Sequence, residues 1–193
     1  MKIDAEKIIF HFYPEDTPLR QVLLLHCTQV KEKAIQLLSS PQCAVLDLDP
    51  DVVSCGAMLH DIGICHCHAP EIHCMGTEHY ITHGLTGARM LREYARENHL
   101  DLEIYARICE RHTGAGLTAD EIEFQSLPLP CRDFLPETPE EKLICFADKF
   151  FSKSGKMQEK SLHKIRRSME KFGSATLARF DELCQLFLPP QPK

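Results

Sequence analysis

The residues of this sequence most suited to chemistry are His26, the adjacent pair His60-Asp61, His112 and Asp148. Each falls in line with apolar residues at helical spacing. Val22, His26, Val30 and Ala34 follow one another at intervals of four. Val53, Ala57, His60 and Asp61 form a second such row, Ile104, Ile108 and His112 a third, and Ile144, Ala147, Asp148 and Phe151 a fourth. An apolar helical face points at a core. An imidazole or carboxylate on that face is therefore buried or aimed into a cleft, where it needs partners. One such His is most often a hydrogen-bonded core residue, and one such Asp is most often a surface charge. Several together, all facing inward, are satisfied at once by a shared cation.

The elements that must position these groups are helices. Thr17-Pro18 and Asp49-Pro50 each read as an N-cap followed by proline in the first turn, where the missing N–H costs nothing. The first of these helices should end near Ser39-Ser40-Pro41. Gly63 is expected to end the second in a left-handed conformation. Residues 64–82 look like a loop. His83 opens a helix that carries Gly87, Met90 and Leu91, and residues 101–112 form another. A proline-rich stretch over 127–139 leads into Thr138-Pro139-Glu140-Glu141, a capping box. Residues 158–187 read as one or two further helices, and Pro189-Pro190-Gln191-Pro192 as a frayed tail. No strand pattern and no internal repeat is found, so the expected class is all-α. The expected organisation is a single domain over 1–193, with its core at about 18–155 and a helical extension at about 156–188.

Composition narrows the function. The 193 residues are 44% hydrophobic and 26% charged, ordinary for a globular chain. The net charge of −6 argues against a general nucleic-acid binder. It leaves room for a small phosphorylated substrate, because a metal supplies positive charge locally. The N-terminus is charged and lacks an apolar signal core. The ten cysteines are then expected to be reduced, in a cytoplasmic protein with no membrane association, and most to act as small core hydrophobes.

Against that background, His60-Asp61-Ile62-Gly63 resembles the HDIG signature of the HD superfamily of metal-dependent phosphohydrolases. His26 stands where that family has its first His. Ala147-Asp148-Lys149 is similar to the segment that carries its last ligand. His83-Gly84 with Gly87-Ala88, and Arg111-His112-Thr113-Gly114-Ala115-Gly116, resemble two intermediate His motifs. The five occur in the family's order over residues 18–155, and look closest to small stand-alone HDIG proteins. The resemblance implies an all-α HD-domain helical bundle in which His26, His60, Asp61 and Asp148 bind a first metal. His83 and His112 would add a second, with Asp61 bridging. One or two divalent transition-metal ions are implied, iron or manganese first and zinc or magnesium next. The substrate would be a nucleotide or another small phosphate ester or anhydride. Asp61 would be central to catalysis, while Lys149 and Arg111 would lend positive charge to phosphoryl oxygens. Residues Ile62–Cys65 hold no Lys, unlike some HD phosphodiesterases, which sets the chain apart from the cyclic-dinucleotide class. A non-catalytic metal- or ligand-binding module and a di-iron oxygenase are the alternatives.

Cys65-His66-Cys67-His68, His73-Cys74 and His79 also resemble ligands, but the spacing is tighter than that of the usual zinc knuckle. A loop that covers the cleft is the simpler reading, with reactive thiols beside a metal as a third. The amphipathic, basic segment 160–187 is expected to dock on the bundle or on a partner. Oligomeric state is left open.

Overall fold

The computed structural model describes residues 3–190, so Gln191-Pro192 of the expected tail lies outside the described residues. Among the described residues there are nine α-helices: α1 (Ala5–Phe12), α2 (Pro18–Leu38), α3 (Pro50–Leu59), α4 (His83–Asn98), α5 (Glu103–Arg111), α6 (Ala119–Phe124), α7 (Pro139–Asp148), α8 (Leu162–Glu170) and α9 (Ser174–Phe187). A single two-stranded antiparallel pair joins β1 (His68–Ala69) to β2 (Cys74–Met75). The protein is all-α.

The caps form as the sequence implies. Thr17 Oγ1 accepts the amide of Arg20, and Asp49 Oδ1 accepts those of Asp51 and Val52. Thr138 and Glu141 form the reciprocal capping box at the start of α7. Two helices went unread. α1 has only eight residues, and α6 only six, opened by its own capping box, Thr118 with Glu121.

Helices α2, α3, α5 and α7 pack around Leu23, Val30, Leu59, Ile108, Leu143 and Ile144, all fully buried. Helix α9 docks on α7 by stacking Phe180 and Phe187 against Phe146, with ring centroids 5.6 Å apart in each pair. Segment 160–187 thus lies on the bundle. Seven of the ten cysteines, Cys27, Cys43, Cys55, Cys67, Cys74, Cys109 and Cys145, are buried.

Gly63 departs from expectation. It does not adopt positive φ. Helix α3 ends at Leu59, and the chain passes through Asp61 at φ −105°, ψ 10° into a 3-10 segment, Ile62–His66. Glycine is needed there because α4 approaches too closely for a side chain. A Cβ on Gly63 would stand 2.2 Å from the His83 carbonyl oxygen and 2.4 Å from the Gly87 nitrogen. Gly84 does the same between α4 and α5, where a Cβ would meet the Cys109 carbonyl oxygen at 2.3 Å. Tyr13 secures the turn after Asp61. Its hydroxyl donates to the Ile62 carbonyl (2.7 Å) and accepts the Cys65 amide (3.2 Å).

The obstructing atoms are backbone and cannot rotate aside. Gly63→Ala is therefore expected to destabilise the fold by about 3 kcal/mol, a fall in Tm of roughly 6–12 °C. Thermal unfolding followed by circular dichroism measures it, and an unchanged Tm would refute the close-approach argument.

Candidate metal centre

Six side chains from five places in the chain meet in the core. His26 comes from the middle of α2. His60 and Asp61 come from the break after α3, His83 from the first turn of α4, His112 from the end of α5 and Asp148 from the last residue of α7. All six are buried, and Asp61 has no exposed surface. His26 Nε2 lies 3.1 Å from Asp61 Oδ2 and 3.0 Å from Asp148 Oδ1. His60 Nε2 lies 3.1 Å from Asp61 Oδ2 and 3.6 Å from Asp148 Oδ1. On the other side of the carboxylate, Asp61 Oδ1 is 3.3 Å from both His83 Nε2 and His112 Nε2. Two donor groups result, His26–His60–Asp61–Asp148 and Asp61–His83–His112, which share Asp61.

Local backbone fixes which ring nitrogen each group offers. Nδ1 of His60, His83 and His112 lies 2.7, 2.7 and 2.8 Å from the carbonyl three residues earlier, of Ala57, Tyr80 and Cys109. A carbonyl only accepts, so these Nδ1 atoms carry the proton and each Nε2 presents a lone pair to the cluster. The Nε2 atoms of His83 and His112 are nonetheless 2.9 Å apart. Two lone pairs and a carboxylate oxygen face one another there. His26 Nε2, His60 Nε2 and Asp61 Oδ1 are buried without hydrogen-bond partners. Ring nitrogens and carboxylate oxygens that converge in this way fit a cation, and the mixed imidazole and carboxylate set suits a divalent transition metal.

Burial would lower His60, but Asp61 and Cys27 hold its ring well above the usual imidazole range, so a cation that binds at Nε2 would displace a proton from it. Burial by itself would raise the Asp61 carboxyl, but His60, Lys153 and the flanking imidazoles hold it well below the usual carboxylate range. Asp148 is held down likewise, against burial, by Lys149 and the imidazoles of His26 and His60. Burial pushes His112 down to about 4, which leaves its ring neutral and able to ligate at physiological pH.

Two of the residues expected to assist catalysis separate here. Lys149 joins the site, with its ammonium 2.6 Å from Asp148 Oδ2 and donating to the His112 carbonyl at 3.0 Å. Arg111 does not: it donates to the Leu135 carbonyl at 2.6 Å and pairs with Glu137 at 2.7 Å, so its guanidinium is spent on a loop. Sequence reasoning missed Lys153. From the loop after α7 its ammonium reaches Asp61 Oδ2 at 2.6 Å and lies over the Tyr80 ring. It supplies the basic group that residues 62–65 lack. No spacing rule marks it, because it acts from an irregular loop. The Cys/His-rich stretch gathers no third cluster among the described residues. It folds as 3-10 turns and the small hairpin beside the site.

Beside the metal centre lies a cavity of about 320 Å³. Asp148, Lys149, Lys153 and Lys160 line its polar side, and Ile81, Leu127, Phe151, Met169 and Phe172 line an apolar side. Thr113, Gly114 and Gly116 form one edge. Gly114 and Gly116 both take positive φ, 61° and 82°, and Arg179 of α9 ties the turn down by donating to the Ala115 and Gly116 carbonyls at 3.1 Å.

With this geometry in view, comparison with known families is decisive. The family model described as HD domain matches residues 23–152. The chain belongs to the HD-domain family. The matched stretch contains all six candidate ligands and Lys149, while Lys153, Lys160, α8 and α9 lie beyond it. The chain is also 39% identical over 124 residues to an uncharacterized protein of Methanocaldococcus jannaschii, a match that covers 64% of this chain and 62% of that one. It is 34% and 31% identical to proteins named tRNA (cytidine(56)-2'-O)-methyltransferase from Picrophilus torridus and Thermoplasma volcanium. Those matches cover 68% and 67% of this chain but 32% of each relative. No helix among the described residues is long and apolar enough to cross a membrane.

The shared Asp61 predicts a stoichiometry experiment. Metal-free wild-type protein titrated with manganese is expected to bind two ions per chain, and His83→Gln/His112→Gln to bind one with little change in affinity at the other group. Loss of both ions in the double variant would show that the two groups do not bind independently.

Proposed function

We propose that this protein is a metal-dependent phosphohydrolase that acts on a nucleotide or another small phosphate ester or anhydride. The observation that carries the reading is the juxtaposition of a buried cluster of converging imidazoles and carboxylates with three lysines on one cavity wall. His26, His60, Asp61 and Asp148 would hold one divalent ion, and Asp61, His83 and His112 a second, with iron or manganese favoured over zinc or magnesium. Such ions polarise phosphoryl oxygens and make water acidic enough to attack at neutral pH.

The chain's own groups do the rest. Lys149 and Lys153, each paired with a ligand carboxylate, place positive charge where the cavity meets the cluster, and so favour an anionic group that binds there. Lys160 extends that charge outward. Phe151, Phe172, Leu127 and Met169 offer an apolar and aromatic surface to the organic part of the ester. A nucleotide has the matching halves. Two relatives bear names from RNA modification, and this chain spans about a third of each; nucleotide and RNA-linked phosphates are accordingly the first substrates to screen. The carboxylate shared between two metal groups also fits di-iron oxidation, which oxygen uptake separates from phosphate release. We further read residues 1–193 as one HD domain with 156–188 as its helical extension, supported by the packing of Phe180 and Phe187 on α7.

Removing an outer-sphere partner of a metal typically costs 10–100-fold in activity. Asp61 serves both donor groups, so Asp61→Ala is expected to lose roughly 100-fold or more of phosphate release, together with metal content. Full turnover by that variant would refute the assignment. Lys160 gives a pH test. Burial pushes its ammonium down to about 8, so it is charged below that pH and neutral above it. KM for a dianionic substrate is expected to rise as pH passes about 8, and Lys160→Met to show the raised KM throughout. Identical KM profiles would remove Lys160 from substrate binding.

A further inference from the structure

The net charge of −6 conceals a strong segregation. Residues 149–171 carry eight of the chain's 22 Lys and Arg but only two of its 28 Asp and Glu. The remainder is therefore strongly acidic, and this one segment strongly basic. In the structure it forms the loop after α7 and all of α8. Lys149, Lys153 and Lys160 line the cavity beside the metal centre. Lys160 is close enough to Lys149, Lys153 and Lys164 for each to disfavour its charge, so the basic group runs from the cavity onto α8. There Lys164, Arg167 and Lys171 recur at spacings of three and four, on the helix and at its C-cap, and all three are exposed. Arg166 is engaged by Asp181 of α9.

The other side of α8 decides what this surface fits. Ile165 and Met169 are buried beneath it, so the helix has no free apolar face to insert into a lipid surface. What it presents is a row of cations. At its end stands Phe172, which lines the cavity yet is 56% exposed. An open aromatic ring beside tracked positive charge is the pairing that binds single-stranded nucleic acid, by base stacking and phosphate neutralisation. The acidic remainder of the surface would repel the same polymer elsewhere and so confine it to this path.

From this arrangement we infer that the phosphate group hydrolysed at the metal centre is carried on a nucleic-acid strand, whose end enters the cavity past Phe172 while its backbone lies along Lys164, Arg167 and Lys171. The inference rests on the phosphohydrolase reading for its chemistry, but the binding surface is testable apart from it. It also revises the expectation drawn from net charge alone: the binding is local and strand-like.

The experiment uses the full chain loaded with manganese. Fluorescence anisotropy measures binding of a 12-nucleotide single-stranded RNA with a terminal phosphate, the DNA of equal sequence, and vesicles rich in phosphatidylserine, at several salt concentrations. Lys164→Glu/Arg167→Glu/Lys171→Glu, whose residues lie outside the cavity, is compared with wild type, as is Phe172→Ala. Turnover of p-nitrophenyl phosphate by the triple variant serves as the control for an intact metal centre. Wild type is expected to bind the oligonucleotide with a steep salt dependence. The triple variant is expected to lose at least roughly tenfold in affinity and about two from the salt slope, with p-nitrophenyl phosphate turnover unchanged. Phe172→Ala is expected to lose roughly tenfold. RNA bound more tightly than DNA, or the reverse, identifies the strand. Absence of oligonucleotide binding by wild type, equal binding by the triple variant, or vesicle binding in its place would overturn the inference. Oligonucleotide binding without turnover of any phosphate ester would leave the surface standing and refute the hydrolase reading.

Discussion

Both oxygens of the Asp61 carboxylate are within 3.3 Å of imidazole nitrogens from four different segments, in a place water does not reach. Almost every other feature of the core follows from that concentration of electron pairs. Three of the four rings give their only proton to a backbone carbonyl, so the cluster is a shell of acceptors. Such a shell is stable only around positive charge. Lys153 and Lys149 provide part of it from the open side, and a divalent cation would complete it. The low dielectric makes both the attraction to a cation and the cost of its absence large.

The helices are arranged to bring these rings within reach without a long-range polar network. Each anchoring carbonyl lies three residues before its His, at a helix end or in a 3-10 turn, so the orientation of the ring is set locally. What remains is the approach of the elements. Backbone at Gly63 packs directly on α4, and Gly84 packs directly on the end of α5, which sets the His83–His112 spacing. The two glycines thus serve the metal centre by permitting contact, without touching it. Helix α9, although outside the matched family region, anchors the Gly114–Gly116 edge through Arg179 and is itself held by aromatic stacking on α7. Stability and site geometry therefore share the same contacts.

Charge is distributed to the same end. Outside residues 149–171 acidic residues outnumber basic ones by 26 to 14, while the segment that follows the last candidate ligand is basic from the cavity lysines to the end of α8. On the proposed reading, an anionic substrate would be attracted along this one approach. The cavity has two matching halves, lysines on one side and aromatic or aliphatic side chains on the other.

The ligand candidates were legible in the sequence because burial has a period. His26, His60-Asp61, His112 and Asp148 each interrupt an apolar row, and a polar group in such a row must find a partner inside. The caps at Thr17, Asp49 and Thr138 were legible because they depend on neighbours within a few residues. The all-α class followed from the same local patterns. Only the tertiary structure could decide the rest. That Gly63 permits helix contact and is not a left-handed stop depends on α4, twenty residues away. Arg111 is drawn off the site by Glu137 and the Leu135 carbonyl, and Lys153 is brought into it, because irregular loops follow no periodicity and their side chains are directed by whatever packs against them. The cavity is likewise a product of α8 and α9 folding back over the bundle. Local sequence encodes which groups must be buried and how each helix begins; which groups then meet is set by long-range packing that no local pattern records.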